Sequence, residues 1–194
     1  MRVAHLKRMY LLPTETFVYT QLRYAAPDQG HLICRDLDNV TMFPGVTFSA
    51  FQDTPLTWQR RWSDACYRTL RYMTAHERNF YLETIKGLGV DLLHAHYVVD
   101  AAYFIDVKRM SRLPLVVSCY GYDVSNFPNV LLGAGRRYLH PVWDNADLIL
   151  AMSEDMRSDI VALGCPPEKV RVHYHGINLE RFPAHPHKIG RAHV

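Results

Sequence analysis

The chain has 194 residues, of which 48% are hydrophobic and 21% charged, a composition typical of a globular domain with one sizeable core. No apolar run approaches the roughly 20 residues that a membrane-spanning helix needs, and the N-terminus carries too many Lys and Arg residues for a signal peptide. The net charge of +3 is too small to indicate a nucleic-acid partner, and we expect a cytoplasmic protein.

The cysteines are far apart in the sequence and form no C-x-x-C pair. In a reducing compartment such residues are usually buried thiols. We therefore predict reduced core thiols, rather than disulfides or zinc ligands, at Cys34, Cys66, Cys119 and Cys165.

The first half of the chain begins with a predicted strand at 2–6. A helix over 14–24 follows, with Thr14 as its predicted cap and Glu15 in its first turn. Two further strand candidates lie at 31–37 and 45–51.

A long helix is predicted over 57–88, where apolar residues recur mostly at helical spacing. We predict that these residues form one core-facing stripe and that the arginines lie mostly on the opposite, solvated face. As an alternative, the aromatic and basic residues could contact an anionic membrane surface. The stripe consists of Trp58, Trp62, Ala65, Thr69, Met73 and Phe80.

The second half alternates apolar strands with helical segments. Near-continuous apolar strands separated by helices are typical of a parallel sheet covered on both faces. Right-handed crossovers then predict an α/β fold, a doubly wound, Rossmann-like parallel sheet. The predicted strands are 90–96, 113–120, 146–153 and 169–175; the predicted helices are 99–112, 129–144 and one that Ser153 caps and Gly164 ends.

Ligands of such sheets bind beyond the carboxyl ends of the strands, so the residues that follow each strand are the informative ones. They are 13–16, 94–97, 120–123, Ser153 and 175–178. The G-x-G-x-x-G and Walker patterns are absent, which argues against a nicotinamide or flavin dinucleotide. The helix N-terminus at 14–17 could bind a diphosphate or could be an ordinary capped helix.

Two of these loops carry candidate site residues. Gly121 permits a positive φ, and Asp123 can accept hydrogen bonds from sugar hydroxyls or from amides of its own loop. His94 and His96 lie on one side of an extended segment. His96 could contact a substrate, could be packed in the core or, with His94, could bind a metal, although no carboxylate or cysteine ligand is evident beside them.

Several segments together resemble the N-terminal half of GT-B glycosyltransferases of family 4, in the branch that builds bacterial exopolysaccharide and lipopolysaccharide. The resemblance covers about residues 1–182. It is carried by "PTETFVYTQL", "DLLHAHY", "SCYGYDVS" and "ADLILAMSEDMRSDIVALGCPPEKVRVHYHGINLERF".

The resemblance implies a two-domain retaining enzyme whose N-terminal domain binds a glycan or lipid-linked acceptor. The other domain would hold a nucleotide-sugar donor, and transfer would need no metal or other cofactor. His96 and Asp123 are the implied catalytic positions. The implied substrate-binding residues are Thr14, Glu15, Thr16, His96, Tyr120, Gly121 and Asp123.

The segment "GINLERF" resembles the family's linker into the second domain, so we expect a fragment that ends before the donor domain and is inactive by itself. We expect 183–194 to be a disordered tail. Its last part, 188–194, reads KIGRAHV, which a common sequencing-library adapter can encode when it is read in frame.

Two departures from the family pattern matter. Many members carry histidine at the position of Tyr120, and a phenol with a pKa near 10 is a poor base, so we assign Tyr120 to binding. Many also have a Gly-Gly pair in the first loop, which 13–16 replaces here. Two rival functions stay open: a non-catalytic sugar- or nucleotide-binding module, and another sugar-nucleotide enzyme such as an epimerase.

Overall fold

In the computed structural model, which describes residues 1–25, 30–130 and 133–176, seven parallel strands form one sheet in the order β3-β2-β1-β4-β5-β6-β7. The predicted doubly wound α/β fold is therefore confirmed, and each predicted strand overlaps an observed one. The chain reverses direction across the sheet at β1, so the switch point lies between β1 and β4. The strands are β1 Val3–Met9, β2 Gly30–Asp36, β3 Phe48–Ala50, β4 Leu92–His96, β5 Leu115–Ser118, β6 Leu148–Ala151 and β7 Val170–Val172.

Eight α-helices occur in the part of the chain that the structure describes, and none of them is long and apolar enough to cross a bilayer. The first continues into a π-helical turn at Gln21–Ala25. The helices are α1 Thr16–Thr20, α2 Trp58–Leu70, α3 Ala75–Leu88, α4 Val98–Tyr103, α5 Ile105–Ser111, α6 Tyr122–Ser125, α7 Ala134–Asn145 and α8 Glu154–Ala162.

The core has two parts, one on each face of the sheet. Right-handed crossovers place helices on opposite faces when the chain moves in opposite directions. Helices α3 to α8 accordingly pack on the face that carries Ala4 and Leu6, and α1 packs on the face that carries Leu32 and Cys34. His5 and Lys7 alternate with Ala4 and Leu6 along β1, so they lie on the α1 face.

The single helix predicted over 57–88 is wrong, because the chain forms α2 and α3 instead. Thr57 caps α2 by accepting a hydrogen bond from the Arg60 N–H at 3.2 Å, and Thr74 caps α3 through the Glu77 N–H at 3.3 Å. Between them Arg71 adopts a left-handed conformation with φ 53°, which ends α2. The helix predicted over 99–112 is likewise divided at Phe104 into α4 and α5.

The prediction that the apolar stripe faces the core is also wrong for α2, where the stripe residues are exposed to solvent. Trp58 and Trp62 are 73% and 63% exposed, whereas Arg60 is buried. The reason is that Arg60 finds enough partners inside: its guanidinium donates to the Phe51 carbonyl at 2.7 Å and to Asp64 at 3.1 Å. A buried charge is tolerated when it is paired and hydrogen-bonded, so hydrophobicity alone did not identify the inner face.

The predicted cap of the first helix is wrong as well. Thr14 is exposed, and Glu15 occupies the cap position without a side-chain capping bond. The cap at Ser153 is confirmed, since it accepts from the Met156 N–H at 3.1 Å. All four cysteines are buried and free, as predicted. The expected tail at 183–194, with its 188–194 part, lies outside the described residues.

Candidate functional site

A cavity of about 460 Å³ opens at the carboxyl ends of β1 and β4, next to the switch point of the sheet. Its wall combines charged side chains with aromatic rings. The charged residues are Lys7, Arg8, Glu15, Arg71 and Asp100, and the tyrosines are Tyr67, Tyr97 and Tyr122.

Part of this wall is a buried network of charges. Lys7 Nζ lies 2.7 Å from Glu15 Oε1 and 3.8 Å from Asp100 Oδ2, and all three side chains are almost completely buried. Arg8 Nε pairs with the other Asp100 oxygen at 2.5 Å. Buried ions cost free energy even when they are paired, so the network is better explained by a binding role than by stability alone.

Tyr97 lies where β4 ends and has φ 79°, which is unusual for a residue other than glycine. Such a conformation costs of order 1–3 kcal/mol and is commonly found at functional sites. The Tyr97 N–H donates to the Ser118 carbonyl at 2.9 Å, and Lys7 Nζ lies 4.8 Å from the centre of the Tyr97 ring. Burial, and then the Glu15 carboxylate, raise the pKa of Tyr97, which therefore stays a neutral phenol.

Beside the cavity, on the α1 face, three histidines from β1 and β4 form a cluster: His5, His94 and His96. His96 is fully buried, and both of its ring nitrogens have partners: Nε2 lies 2.9 Å from His5 Nδ1 and Nδ1 lies 2.7 Å from the Tyr120 hydroxyl. His94 Nε2 lies 2.8 Å from Ser118 Oγ. His5 and His96 thus form a hydrogen-bonded chain that ends at Tyr120, whereas His94 is bonded to Ser118.

These histidines are held neutral. Burial, and then His94, lower the pKa of His5 to about 3. Burial, and then His175 and His173, lower the pKa of His94 to about 4. Burial is also the main reason that the pKa of His96 lies well below its usual value.

Within the described ranges, this cluster is the one group of three His, Cys, Asp or Glu side chains that are close enough to hold a metal ion together. Its nitrogen atoms lie within 4.8 Å of one another. The 2.9 Å between His5 and His96 is shorter than the spacing of about 3.3 Å between two nitrogens on tetrahedral zinc. No carboxylate belongs to the group. The geometry therefore favours a hydrogen bond over a metal site, and metal-free transfer stays a prediction.

Asp123, one of the two predicted catalytic positions, is fully buried below the loops. Its Oδ2 accepts from the Val98 N–H at 2.9 Å and its Oδ1 from the Tyr120 N–H at 3.1 Å. The neighbouring Gly121 has φ 109°, the positive φ that its position suggested. Tyr120 packs against Phe17 and His175, with ring centres 4.7 and 5.1 Å away.

The structure brings one of the seven predicted site residues into the wall of the cavity. Glu15 lines it, while Thr14 and Thr16 are exposed near the start of α1. The other four lie beside the cavity rather than in its wall, so their roles stay predictions. These four are His96, Tyr120, Gly121 and Asp123.

Sequence reasoning missed Lys7, Tyr97, Asp100 and His5 as site residues. Tyr97 belonged to a segment marked as informative, but nothing in the sequence revealed its positive φ. Lys7 gave one usable signal, because it is a charged residue that directly follows the predicted strand 2–6. His5 and Asp100 become recognisable only when β1 pairs with β4.

The chain matches the sequence profile of Glycosyltransferase Family 4 over residues 15–181. No curated protein matches it significantly. Among solved structures it is similar to Anabaena Alr3699/HepE in complex with UDP and glucose, with a TM-score of 0.71 and 15% identity over 96% of this chain and 47% of that chain.

Two further structures share the fold. One is the lipopolysaccharide outer core galactosyltransferase WaaB, with a TM-score of 0.59 and 14% identity over 92% of this chain and 47% of that chain. The other is a UDP-GlcNAc 2-epimerase from Neisseria meningitidis bound to UDP-GlcNAc. Its TM-score is 0.57, with 12% identity over 89% of this chain and 45% of that chain. The chain spans about half the length of these proteins, and at such identities the likeness shows the fold alone.

Proposed function

Because the chain belongs to glycosyltransferase family 4, we propose that it is the acceptor-side domain of a retaining hexosyltransferase of polysaccharide synthesis. The enzyme would transfer a sugar from a nucleotide-sugar to a glycan or lipid-linked acceptor, without a metal or other cofactor. The epimerase shares the fold, but no observation on this chain's site favours epimerisation over transfer.

The observation that carries this proposal is the cavity at the switch point. Tyrosine rings offer flat apolar faces for the C–H surface of a sugar, and carboxylates accept hydrogen bonds from its hydroxyls. Tyr97 and Tyr67 would supply such faces, and Glu15 and Asp100 such oxygens. Lys7 already holds both carboxylates in place, so the oxygens that would accept hydrogen bonds from the sugar are preorganised.

We assign supporting positions to the two predicted catalytic residues. His96 would orient the Tyr120 hydroxyl, to which it is hydrogen-bonded. Asp123 would fix the loops that carry Tyr97 and Tyr120, through the Val98 and Tyr120 amides. Both residues would thereby position the acceptor or the transferred sugar.

The donor would bind mainly outside this chain. HepE, similar over 47% of its own length, has been solved in complex with UDP and with UDP-glucose. Exposed Thr14 and Thr16, with the N-terminal amides of α1, would border the donor diphosphate. Transfer needs groups preorganised on both sides of the cleft, so this chain alone would catalyse nothing measurable.

We also propose a peripheral membrane contact, which suits a lipid-linked acceptor. Trp58 and Trp62 lie one helical turn apart on the exposed face of α2, with Arg61 between them. Exposed tryptophans beside arginines favour the interface of an anionic bilayer. The inner leaflet of the cytoplasmic membrane is such a surface.

Ligand titration tests the acceptor cavity. We expect the chain to bind methyl glycosides of common hexoses in saturation-transfer NMR and not to bind nicotinamide dinucleotides. Tyr97→Gly removes the ring and also relieves the backbone strain that the positive φ causes. This variant should bind glycosides about tenfold more weakly. The control is Tyr174→Gly, which removes an exposed tyrosine near β7. Equal effects of both variants, or dinucleotide binding, would contradict the proposal.

A further inference from the structure

A second pocket, of about 310 Å³, adjoins the acceptor cavity and is rich in arginine. The two share Tyr67 and Arg71 as a common wall. The arginines outnumber the acids in its wall. The charged residues are Arg35, Arg60, Arg68 and Arg71, with Asp36 and Asp64.

The four arginines divide into two kinds. Arg35 pairs with Asp36 and Asp64 at 2.5 and 2.7 Å, and Arg60 pairs with Asp64 at 3.1 Å. The guanidinium groups of Arg68 and Arg71 have no ion pair or hydrogen bond with the described residues. The acids of the pocket are thus already occupied, and two cations at its rim are left for a ligand.

Arg71 is held at the rim in two ways. Its guanidinium lies 4.9 Å from the centre of the Tyr67 ring, whose centre is 3.9 Å from the Arg35 guanidinium. Its backbone has φ 53° at the C-terminal cap of α2. Glycine adopts that conformation without strain, so replacing Arg71 by glycine removes the side chain and leaves the cap of α2 intact.

We propose that Arg68 and Arg71 bind a phosphate group of the acceptor, whose sugar lies in the adjoining cavity. The inference rests on the proposed function and names the chemical class of its acceptor, a phosphorylated sugar. Guanidinium groups present several N–H donors in a fixed plane, which suits the oxygens of a phosphate. The shared wall at Tyr67 and Arg71 places that phosphate directly beside the sugar.

The test compares α-D-glucose 1-phosphate with methyl α-glucoside, both titrated into the chain by NMR. We expect the phosphorylated sugar to bind about tenfold more tightly, because it gains charge-assisted hydrogen bonds. Arg68→Ala, which removes a side chain that lines only the arginine-rich pocket, should reduce this difference and leave methyl α-glucoside binding unchanged, and Arg71→Gly should abolish it. The variant should fold at least as well as the native chain, since glycine suits the left-handed cap.

Arg112→Gly is the matched control. Arg112 is also an exposed arginine, at the C-terminal cap of α5 with φ 59°, and it does not line either pocket. The control should keep the full preference for glucose 1-phosphate. Equal binding of the two sugars by the native chain, or an equal loss in both variants, would overturn the phosphate subsite. If neither sugar binds, the acceptor cavity itself is wrong.

A vesicle assay distinguishes the sources of the phosphate. Phosphatidylcholine vesicles that carry a polyprenyl phosphate should retain the native chain and release Arg71→Gly if the acceptor is lipid-linked. Glucose 1-phosphate binding without such retention assigns the subsite to a soluble acceptor. Equal retention of the Arg71→Gly and Arg112→Gly variants, together with an equal response to glucose 1-phosphate, would overturn the subsite for either source.

Discussion

The Asp123 carboxylate accepts a hydrogen bond from the Val98 N–H at 2.9 Å and thereby joins the segments that follow β4 and β5. Its second oxygen accepts from the Tyr120 N–H at 3.1 Å. Burial raises the pKa of this carboxyl, and the backbone donors oppose that rise. Asp123 is therefore a structural tie beneath the site.

Removing this tie should cost stability. Asp123→Ala leaves two buried N–H groups without a partner, and we expect a loss of about 2–4 kcal/mol in the free energy of unfolding. Asp123→Asn keeps one acceptor oxygen and should lose about half as much. Urea unfolding monitored by circular dichroism measures both. Equal losses in the two variants would show that the hydrogen bonds are not the source of the effect.

A second prediction concerns Glu77, which is fully buried in α3. Its Oε1 accepts from the Tyr81 hydroxyl at 2.7 Å and the Tyr103 hydroxyl at 2.6 Å, with Arg35 Nε 3.4 Å away. Glu77→Ala should destabilise the fold by about 3–5 kcal/mol, because it leaves Arg35 partly uncompensated inside the protein.

The control for Glu77 is Glu83→Ala, a change from the same acid in the same helix at an exposed position. We expect it to change the free energy of unfolding by less than about 0.5 kcal/mol. Denaturant unfolding of the two variants side by side measures the difference. A Glu77→Ala variant as stable as Glu83→Ala would contradict the role of the buried network.

The histidine cluster predicts a pH dependence of stability. Histidine with a pKa of 6.5 in the unfolded chain takes up a proton below that pH, whereas His94 in the fold does so only near pH 4. The unfolded state thus binds more protons in this window, and stability should rise with pH from about 4 to 6.5. The contribution is complete above the unfolded pKa and is lost as the pH falls.

We expect His94→Gln to reduce the slope of the unfolding free energy in this window by about 1.4 kcal/mol per pH unit, the value for one proton. Glutamine can still hydrogen-bond Ser118. Urea titrations at several pH values measure the slopes. Parallel curves for native and His94→Gln protein would rule out a buried neutral His94.

The proposed membrane contact predicts vesicle binding through α2. Trp58→Ala with Trp62→Ala should reduce co-sedimentation with phosphatidylglycerol vesicles at least tenfold, since each tryptophan loses apolar area inserted at the interface, about 2 kcal/mol or more in total. Tyr174→Ala, at another exposed aromatic residue, should bind as the native chain does. Retention of the double variant at native levels would refute the contact.

Most of the fold could be predicted from local sequence. Apolar runs such as 146–153 indicate buried parallel strands wherever they occur, and a cap such as Ser153 acts within its own helix. The inner face of α2 could not be predicted, because hydrophobic periodicity assumes that arginine lies outside. Arg60 is inside owing to partners, among them the Phe51 carbonyl, that only the folded chain supplies.

The site was less predictable than the fold for a related reason. His5 and His96 are 91 residues apart, and their hydrogen bond depends on the pairing of β1 with β4. Positive φ at Tyr97 also depends on its tertiary setting rather than on its residue type. Residues that follow strands could be marked as candidates, but which of them face the cavity depends on contacts made across the sheet.

The pairing of β1 with β4 has a consequence for synthesis of the protein. Arg8 and Asp100, which meet in the cavity wall, are separated by 92 residues of chain. A growing polypeptide cannot form the cavity until β4 and the start of α4 have left the ribosome. Since Lys7 and Asp100 are costly to bury unpaired, the N-terminal strand should dock late during translation, and competence to bind a ligand should arise in the same step.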